Sequence, residues 1–219
     1  MDILVCVATA LAAYLLGSIP TGYLVGRAKG VDIRNVGSGN IGATNVFRIL
    51  GRTAGAIVLV VDCLKGWVAV ALAPGMVTAV LGGRVWSGSE FESLRIIAAM
   101  SVILGHNYPC WLKFKGGKGI ATSAGVLAAL IPMGFAAVAV TWAVVCLLTR
   151  YVSVASIASA LVLPFATWAA GYSHLLVIIA AAMCVLAVYK HHGNIKRLMD
   201  GTENRIGGRK SAPPTEAER

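Results

Sequence analysis

The chain has 219 residues, 58% of them hydrophobic and 13% charged, with a mean hydropathy of +0.78. Soluble domains carry roughly 25% charged residues and disordered chains are poor in apolar ones, so the composition excludes both and leaves a polytopic membrane protein. The net charge of +10 fits nucleic acid, anionic lipid or an anionic substrate, but in a membrane protein its plainest source is Lys and Arg in the inner loops, and no nucleic-acid partner is expected.

Only Asp2 precedes the first apolar run, residues 3–25, where a signal peptide would carry basic residues. This run is therefore read as an uncleaved span. The second run is 53–73, and the third is clear only over 96–104. Residues 120–149 would form a helix ~45 Å long against a ~30 Å hydrocarbon core. Pro132-Met133-Gly134 sits near the middle of that stretch, where a helix breaks cheaply, so two short spans are expected. Runs at 153–171 and 174–189 complete a set of seven.

With the N-terminus outside, the inside segments hold Arg27, Lys29, Arg34, Arg48 and Arg52, then Lys113, Lys115 and Lys118, then Arg150, then the basic residues from Lys190 onward. The outside segments hold Arg84 and Arg95, a strong positive-inside bias. The expected fold is all-α, one seven-helix membrane domain over 1–206 with a cytoplasmic C-terminus and a polar, disordered tail over 207–219. Cys6, Cys63, Cys110, Cys146 and Cys184 are widely spaced in apolar surroundings and read as buried free thiols. Trp67, Trp86, Trp111, Trp142 and Trp168 fall near span ends and read as interfacial anchors.

Three polar segments interrupt the apolar pattern, all on the inner face. In the first, Gly37, Ser38, Gly39, Asn40, Thr44, Asn45 and Arg48 alternate small, hydroxyl and amide residues before an arginine. Such a loop turns tightly, points amides at an anion and adds a guanidinium fork. A helix starting near Thr44 would add its dipole. In the second, Gly116, Gly117 and Gly119 surround Lys118, so backbone and ammonium can approach a phosphate together. This is not a nucleotide-binding P-loop, which needs a glycine where Leu112 stands and Ser or Thr where Gly119 stands. In the third, His191 and Asn194 are three apart and share a helix face, while Lys196 and Arg197 read as a solvated flank. The adjacent His191 and His192 lack the further ligands of a metal site, and no metal or cofactor is expected.

Asp62 and Lys65 lie three apart within the second span, where charge is expensive; they pair or line a polar cavity. Ser153 and Ser156 either join the site or cap the sixth helix. No Ser or Cys has the His and carboxylate partners of a nucleophilic triad, and no His is followed five positions on by Asp. The residues alone thus describe a cytoplasm-facing phosphate site in a helical membrane protein, an enzyme or a phosphate-ester carrier.

The runs GSGNIGATNV followed by Arg48, GHNYPCWLKFKGGKGIAT and YKHHGNIKRL, in that order, resemble the bacterial acyl-phosphate:glycerol-3-phosphate acyltransferases, the PlsY family. The resemblance covers about residues 15–205 and includes LLGSIPTGYLVG, DCLKG and RYVSVAS. It implies transfer of a fatty acyl group from acyl phosphate to the 1-hydroxyl of sn-glycerol-3-phosphate in the bacterial inner membrane. The products are lysophosphatidic acid and phosphate, in the first acylation of phospholipid synthesis. It also implies catalytic roles for Ser38, Arg48, Lys118, His191 and Asn194. Substrate contacts are expected from Gly37, Gly39, Asn40, Thr44, Asn45, Gly116, Gly117, Gly119, Ser153 and Ser156. A monomer in contact with membrane lipid is expected; roles for His106 and Asp62 are left open.

Overall fold

The computed structural model describes residues 2–81 and 86–207. Arg84 and the tail from 208 onward, both used in the topology argument, lie outside the described residues. Among those described there are eleven α-helices, two short 3-10 turns and no strand.

The first span breaks into α1 (Ile3–Ser18) and α2 (Thr21–Ala28). Asp2 starts it: its side chain accepts from the Leu4 amide at 2.9 Å, supplying one of the acceptors a helix N-terminus lacks. Pro20, which has no amide to donate and restricts the residue before it, interrupts the span. After a short α3 (Ala43–Leu50) come α4 (Arg52–Ala71) and α5 (Ala73–Val80). α6 (Gly88–Asn107) is twice as long as its apolar part, because its first turns carry Glu90, Glu92 and Arg95. The 120–149 stretch divides as expected, into α7 (Ile120–Leu130) and α8 (Pro132–Thr149), with Ile131 non-helical between them. α9 (Val152–Ala169) and α10 (His174–Lys190) follow, and α11 (His192–Met199) leaves α10 at 53°.

Four helical stretches among the described residues are long and apolar enough to cross a bilayer: Ile3–Ala28, Arg52–Ala71, Pro132–Thr149 and Val152–Ala169; α10 with α11 makes a fifth. α7 is only ~16 Å long, short of a ~30 Å core.

The helices meet through glycines. A Cβ on Gly17 of α1 would strike the Val102 backbone of α6, and one on Gly105 of α6 would strike the Tyr14 carbonyl of α1. Gly66 of α4 and Gly125 of α7 meet the backbones of Thr122 and Cys63 in the same reciprocal way. Small residues let membrane helices approach backbone to backbone, where lipid supplies no hydrophobic drive for association. Val102, Val126, Leu127, Ile131 and Leu163 fill the space between, while Leu147, Leu148, Phe165 and Val185 face outward.

All five cysteines are free; Cys146 and Cys184 are buried, the others half-buried. Two tryptophans depart from the anchoring expectation. Trp86 is buried against Val5 and Leu94. Trp142 turns inward because its indole N–H finds an acceptor there, Ser156 Oγ at 3.2 Å. Trp67, Trp111 and Trp168 are exposed.

Candidate active site

The loop before α3 is shaped by one side chain. Asn45, 1% exposed, donates through Nδ2 to the carbonyls of Ile33 (3.2 Å), Val36 (3.1 Å) and Asn40 (3.0 Å), and its Oδ1 accepts from the Ser38 amide at 3.0 Å. Gly37 and Gly39 have φ of 61° and 69°, which a side chain would strain. Asn40 Oδ1 accepts from the Gly42 amide at 2.8 Å. The loop therefore spends several of its own amides on itself. What it delivers to the pocket is Ser38, Asn40, Gly42, Ala43, Thr44, Asn45 and Arg48, with Thr44 and Arg48 one turn apart on α3.

The second segment is held differently. The Gly116 and Gly117 amides donate to the carbonyls of Asn107 (3.2 Å) and His106 (3.1 Å) at the end of α6. A Cβ at Gly116 would strike the His106 carbonyl, and one at Gly117 the His106 ring. These two glycines, like Gly37 and Gly39, stand off the pocket wall, and the amides of Gly116 and Gly117 are already spent. Lys118 and Gly119 do line the pocket. Gly119, at φ 81°, opens α7, so the first turns of α3 and α7 both end on the cavity, where helix N-termini favour anions.

The third segment closes the ring. His191 sits at the α10–α11 bend, its Nδ1 2.7 Å from the Ala187 carbonyl. A carbonyl only accepts, so Nδ1 carries the proton and Nε2 is left as an acceptor. Asn194 Oδ1 accepts from Lys118 Nζ, and its Nδ2 donates to Glu203 Oε1 at 2.7 Å. Neither candidate serine caps α9, whose N-cap is Tyr151; both lie on the pocket wall. Ser153 Oγ donates to Glu203 Oε1 at 3.0 Å, and Ser156 Oγ donates to the Val152 carbonyl while accepting from Trp142.

Glu203 is the residue sequence reasoning missed. It joins Ser153, Asn194 and Arg197 (Nε at 2.8 Å), so Arg197 is not simply a solvated flank but part of the wall. The available signal was an acidic side chain six residues beyond Arg197 in a basic segment. Burial pushes the Glu203 carboxyl up, but the hydrogen bonds from Asn194, Arg197 and Ser153 outweigh it and hold it below the usual carboxylate range. Burial, reinforced by Arg197, Arg48 and Lys190 and opposed by Glu203, brings the Lys118 ammonium down to about 8.

Asp62 and Lys65 satisfy both earlier alternatives: they pair at 2.8 Å, and Asp62 reaches the pocket wall. The cavity measures about 410 Å³. Its mouth is cationic and polar, and its depth is apolar, walled by Leu127, Phe135, Val138, Leu163 and Met183. Such a space takes a phosphate ester at one end and a hydrocarbon chain at the other.

A family model described as glycerol-3-phosphate acyltransferase matches residues 7–201. The glycerol-3-phosphate acyltransferase of Desulforudis audaxviator is 46% identical over 201 residues, covering 90% of this chain and 94% of its own length. That of Geotalea daltonii is 42% identical over 194 residues, covering 89% and 94%. Two crystal structures of PlsY (YgiH), an integral membrane glycerol 3-phosphate acyltransferase, are similar throughout. The glycerol 3-phosphate form has a TM-score of 0.80 at 38% identity, and the lysophosphatidic acid form 0.77 at 36%; each covers 91% of this chain and 94% of that one. The matched region contains all three polar segments and the helices that carry them, and the chain belongs to the glycerol-3-phosphate acyltransferase family.

Proposed function

We propose that this acyltransferase takes its acyl group from an acyl phosphate and delivers it to the 1-hydroxyl of sn-glycerol-3-phosphate, giving 1-acyl-glycerol-3-phosphate and inorganic phosphate. One observation carries the reading: a single cavity joins Arg48 and Lys118 at its mouth to an apolar limb between α7, α8, α9 and α10. Both substrates bring phosphate, and one brings a hydrocarbon chain.

Lys118, with Ser38, Thr44 and the helix N-termini, holds the acyl phosphate and stabilises the charge that grows on its leaving oxygen. Arg48, with His191 and Asn194, places glycerol-3-phosphate so that its hydroxyl meets the acyl carbonyl carbon. The new ester C–O bond forms, the acyl–phosphate C–O bond breaks, and the hydroxyl proton passes to a phosphate oxygen. The acyl phosphate thus supplies its own base and leaving group, which accords with a pocket of phosphate ligands in place of a nucleophilic triad.

For topology we place seven crossings (α1–α2, α4, α6, α7, α8, α9 and α10) with the N-terminus outside and the pocket facing the cytoplasm of a bacterial inner membrane. In support, Arg48, Lys118 and Arg197 gather at one end of the bundle, while Arg95 donates to the Ala129 carbonyl near the far end of α7.

The test is phosphate release by purified protein given glycerol-3-phosphate and, in parallel, palmitoyl phosphate, palmitoyl-CoA or palmitoyl carrier protein. Release with palmitoyl phosphate alone, matched by lysophosphatidic acid, is expected. Turnover with only a thioester donor would overturn the donor assignment.

A further inference from the structure

A cluster of charge packs against the second glycine segment, with Asp62 and His106 reaching the pocket wall, and no step of the transfer described above uses it. Asp62 and Lys65 of α4 are 2% and 5% exposed, with Lys65 Nζ 2.8 Å from Asp62 Oδ1. Thr21 Oγ1 of α2 donates to the same oxygen at 3.0 Å, and Lys65 Nζ donates at 3.1 Å to the carbonyl of Ile19, at the α1–α2 break. Buried ion pairs contribute little net stability, because desolvation consumes the Coulomb gain, so the cluster invites another explanation.

The explanation lies at its third member. Lys65 Nζ is 2.9 Å from Nδ1 of His106, itself 4% exposed. The same ring nitrogen is 3.7 Å from Asp62 Oδ1, beyond hydrogen-bond reach, so its close partner is the Lys65 ammonium; an ammonium only donates, so Nδ1 accepts and the ring carries its proton on Nε2. That nitrogen is turned toward Gly117, where an added methyl group would land on it. The His106 carbonyl holds the Gly117 amide as well. Gly117 is thus gripped from both sides by one residue, and Lys118 is its neighbour. The same cluster touches the first segment: α2, tied to Asp62 through Thr21, packs Gly22 against the Ile41 carbonyl.

We propose that His106 is a positioning residue for Lys118. Lys65 fixes its tautomer and rotation, its ring and carbonyl fix Gly117, and Lys118 Nζ consequently stands over the pocket. The proposal rests on the functional reading above only in taking phosphate as what Lys118 holds.

The experiment is a double-mutant cycle on the full chain in detergent: wild type, H106A, G117A and H106A/G117A. Two readouts are used, the Kd of inorganic phosphate by titration calorimetry and kcat/KM with palmitoyl phosphate. H106A is expected to weaken both about 10-fold. G117A alone is expected to cost at least about 10-fold because its methyl meets the ring, but no more than about 3-fold where the ring is gone, a coupling that non-interacting sites do not show. H106N, whose Oδ1 still accepts from Lys65 but whose side chain is too short to reach Gly117, is expected to behave as H106A; it replaces H106A in the cycle should that variant not fold. Equal costs of G117A in the two backgrounds would overturn the proposal, as would phosphate affinity in H106A and H106N within twofold of wild type. A wild-type chain that binds phosphate but does not turn over palmitoyl phosphate would sink the donor assignment instead, leaving the coupling to be judged on binding.

Discussion

The two glycine-rich segments read alike in the sequence and are built on opposite principles. Residues 33–42 are held locally: Asn45, a few positions further on, takes four hydrogen bonds from or to Ile33, Val36, Ser38 and Asn40 and fixes the loop from within. Residues 116–119 are held remotely, by carbonyls at the end of α6 and by a histidine braced on α4. In both, glycine lets backbone pack against backbone or adopt a left-handed turn, and what reaches the cavity is mainly the hydroxyls, cations and helix ends that flank it. The first segment should fail when one side chain is removed; the second should fail only through Lys118 or through distant supports.

The largest expected effect breaks the second segment at its tip. K118A removes the cation at the tip of this segment, and kcat/KM should fall roughly 10²- to 10³-fold with thermal unfolding little changed; near-normal turnover would remove Lys118 from the mechanism. Next is the internal brace of the first segment. N45A leaves three carbonyls and an amide without their partner, costing ~1–3 kcal/mol of stability and raising KM for glycerol-3-phosphate about tenfold. Thermal unfolding and steady-state kinetics together check this, and an unchanged KM would show that the loop holds its shape without Asn45.

The pH dependence separates the two segments by chemistry. Lys118 lies at about 8, below the ordinary lysine range, so its ammonium is lost as pH rises through that value. Above pH ~8, kcat/KM should drop about tenfold per unit. K118R, if active, should lose this limb because guanidinium stays charged, whereas R48K should keep the Lys118 limb. The smallest effect sharpens the reading of the glycines. G39A places a methyl at φ 69° near only the Arg34 carbonyl and should cost ~1–2 kcal/mol, with kcat within about threefold, in contrast to the collision expected at Gly117.

What was legible in the sequence is what proline, hydrophobic runs and short-range spacing encode. The break at Pro132 follows from a missing amide, and α3 begins where the small-residue run ends. His191, at the bend that opens α11, and Asn194 in its first turn both reach the pocket. The same proline rule applied at Pro20, but an apolar run on both sides hid the break. α6 was half hidden because three charges interrupt its hydropathy. Glu203 and Trp142 escaped for a different reason: their partners Ser153 and Ser156 lie 50 and 14 positions away, and no local pattern announces such a meeting. The partners that Gly116 and Gly117 find in Asn107 and His106 were not legible, because spacing reveals that a backbone can approach something without saying what.

The Asp62–Lys65 pair also bears on how the chain enters the membrane. The two residues are three apart on one helix, and their 2.8 Å contact needs no other part of the bundle. Each charge alone near a helix centre raises the insertion cost by ~2.5–3.5 kcal/mol. Paired within α4, they form a neutral unit that needs no contact with α1, α6 or α7. The interactions of the pair with Thr21 and His106 can then form during helix assembly, so one short sequence spacing serves insertion first and the architecture of the pocket afterwards.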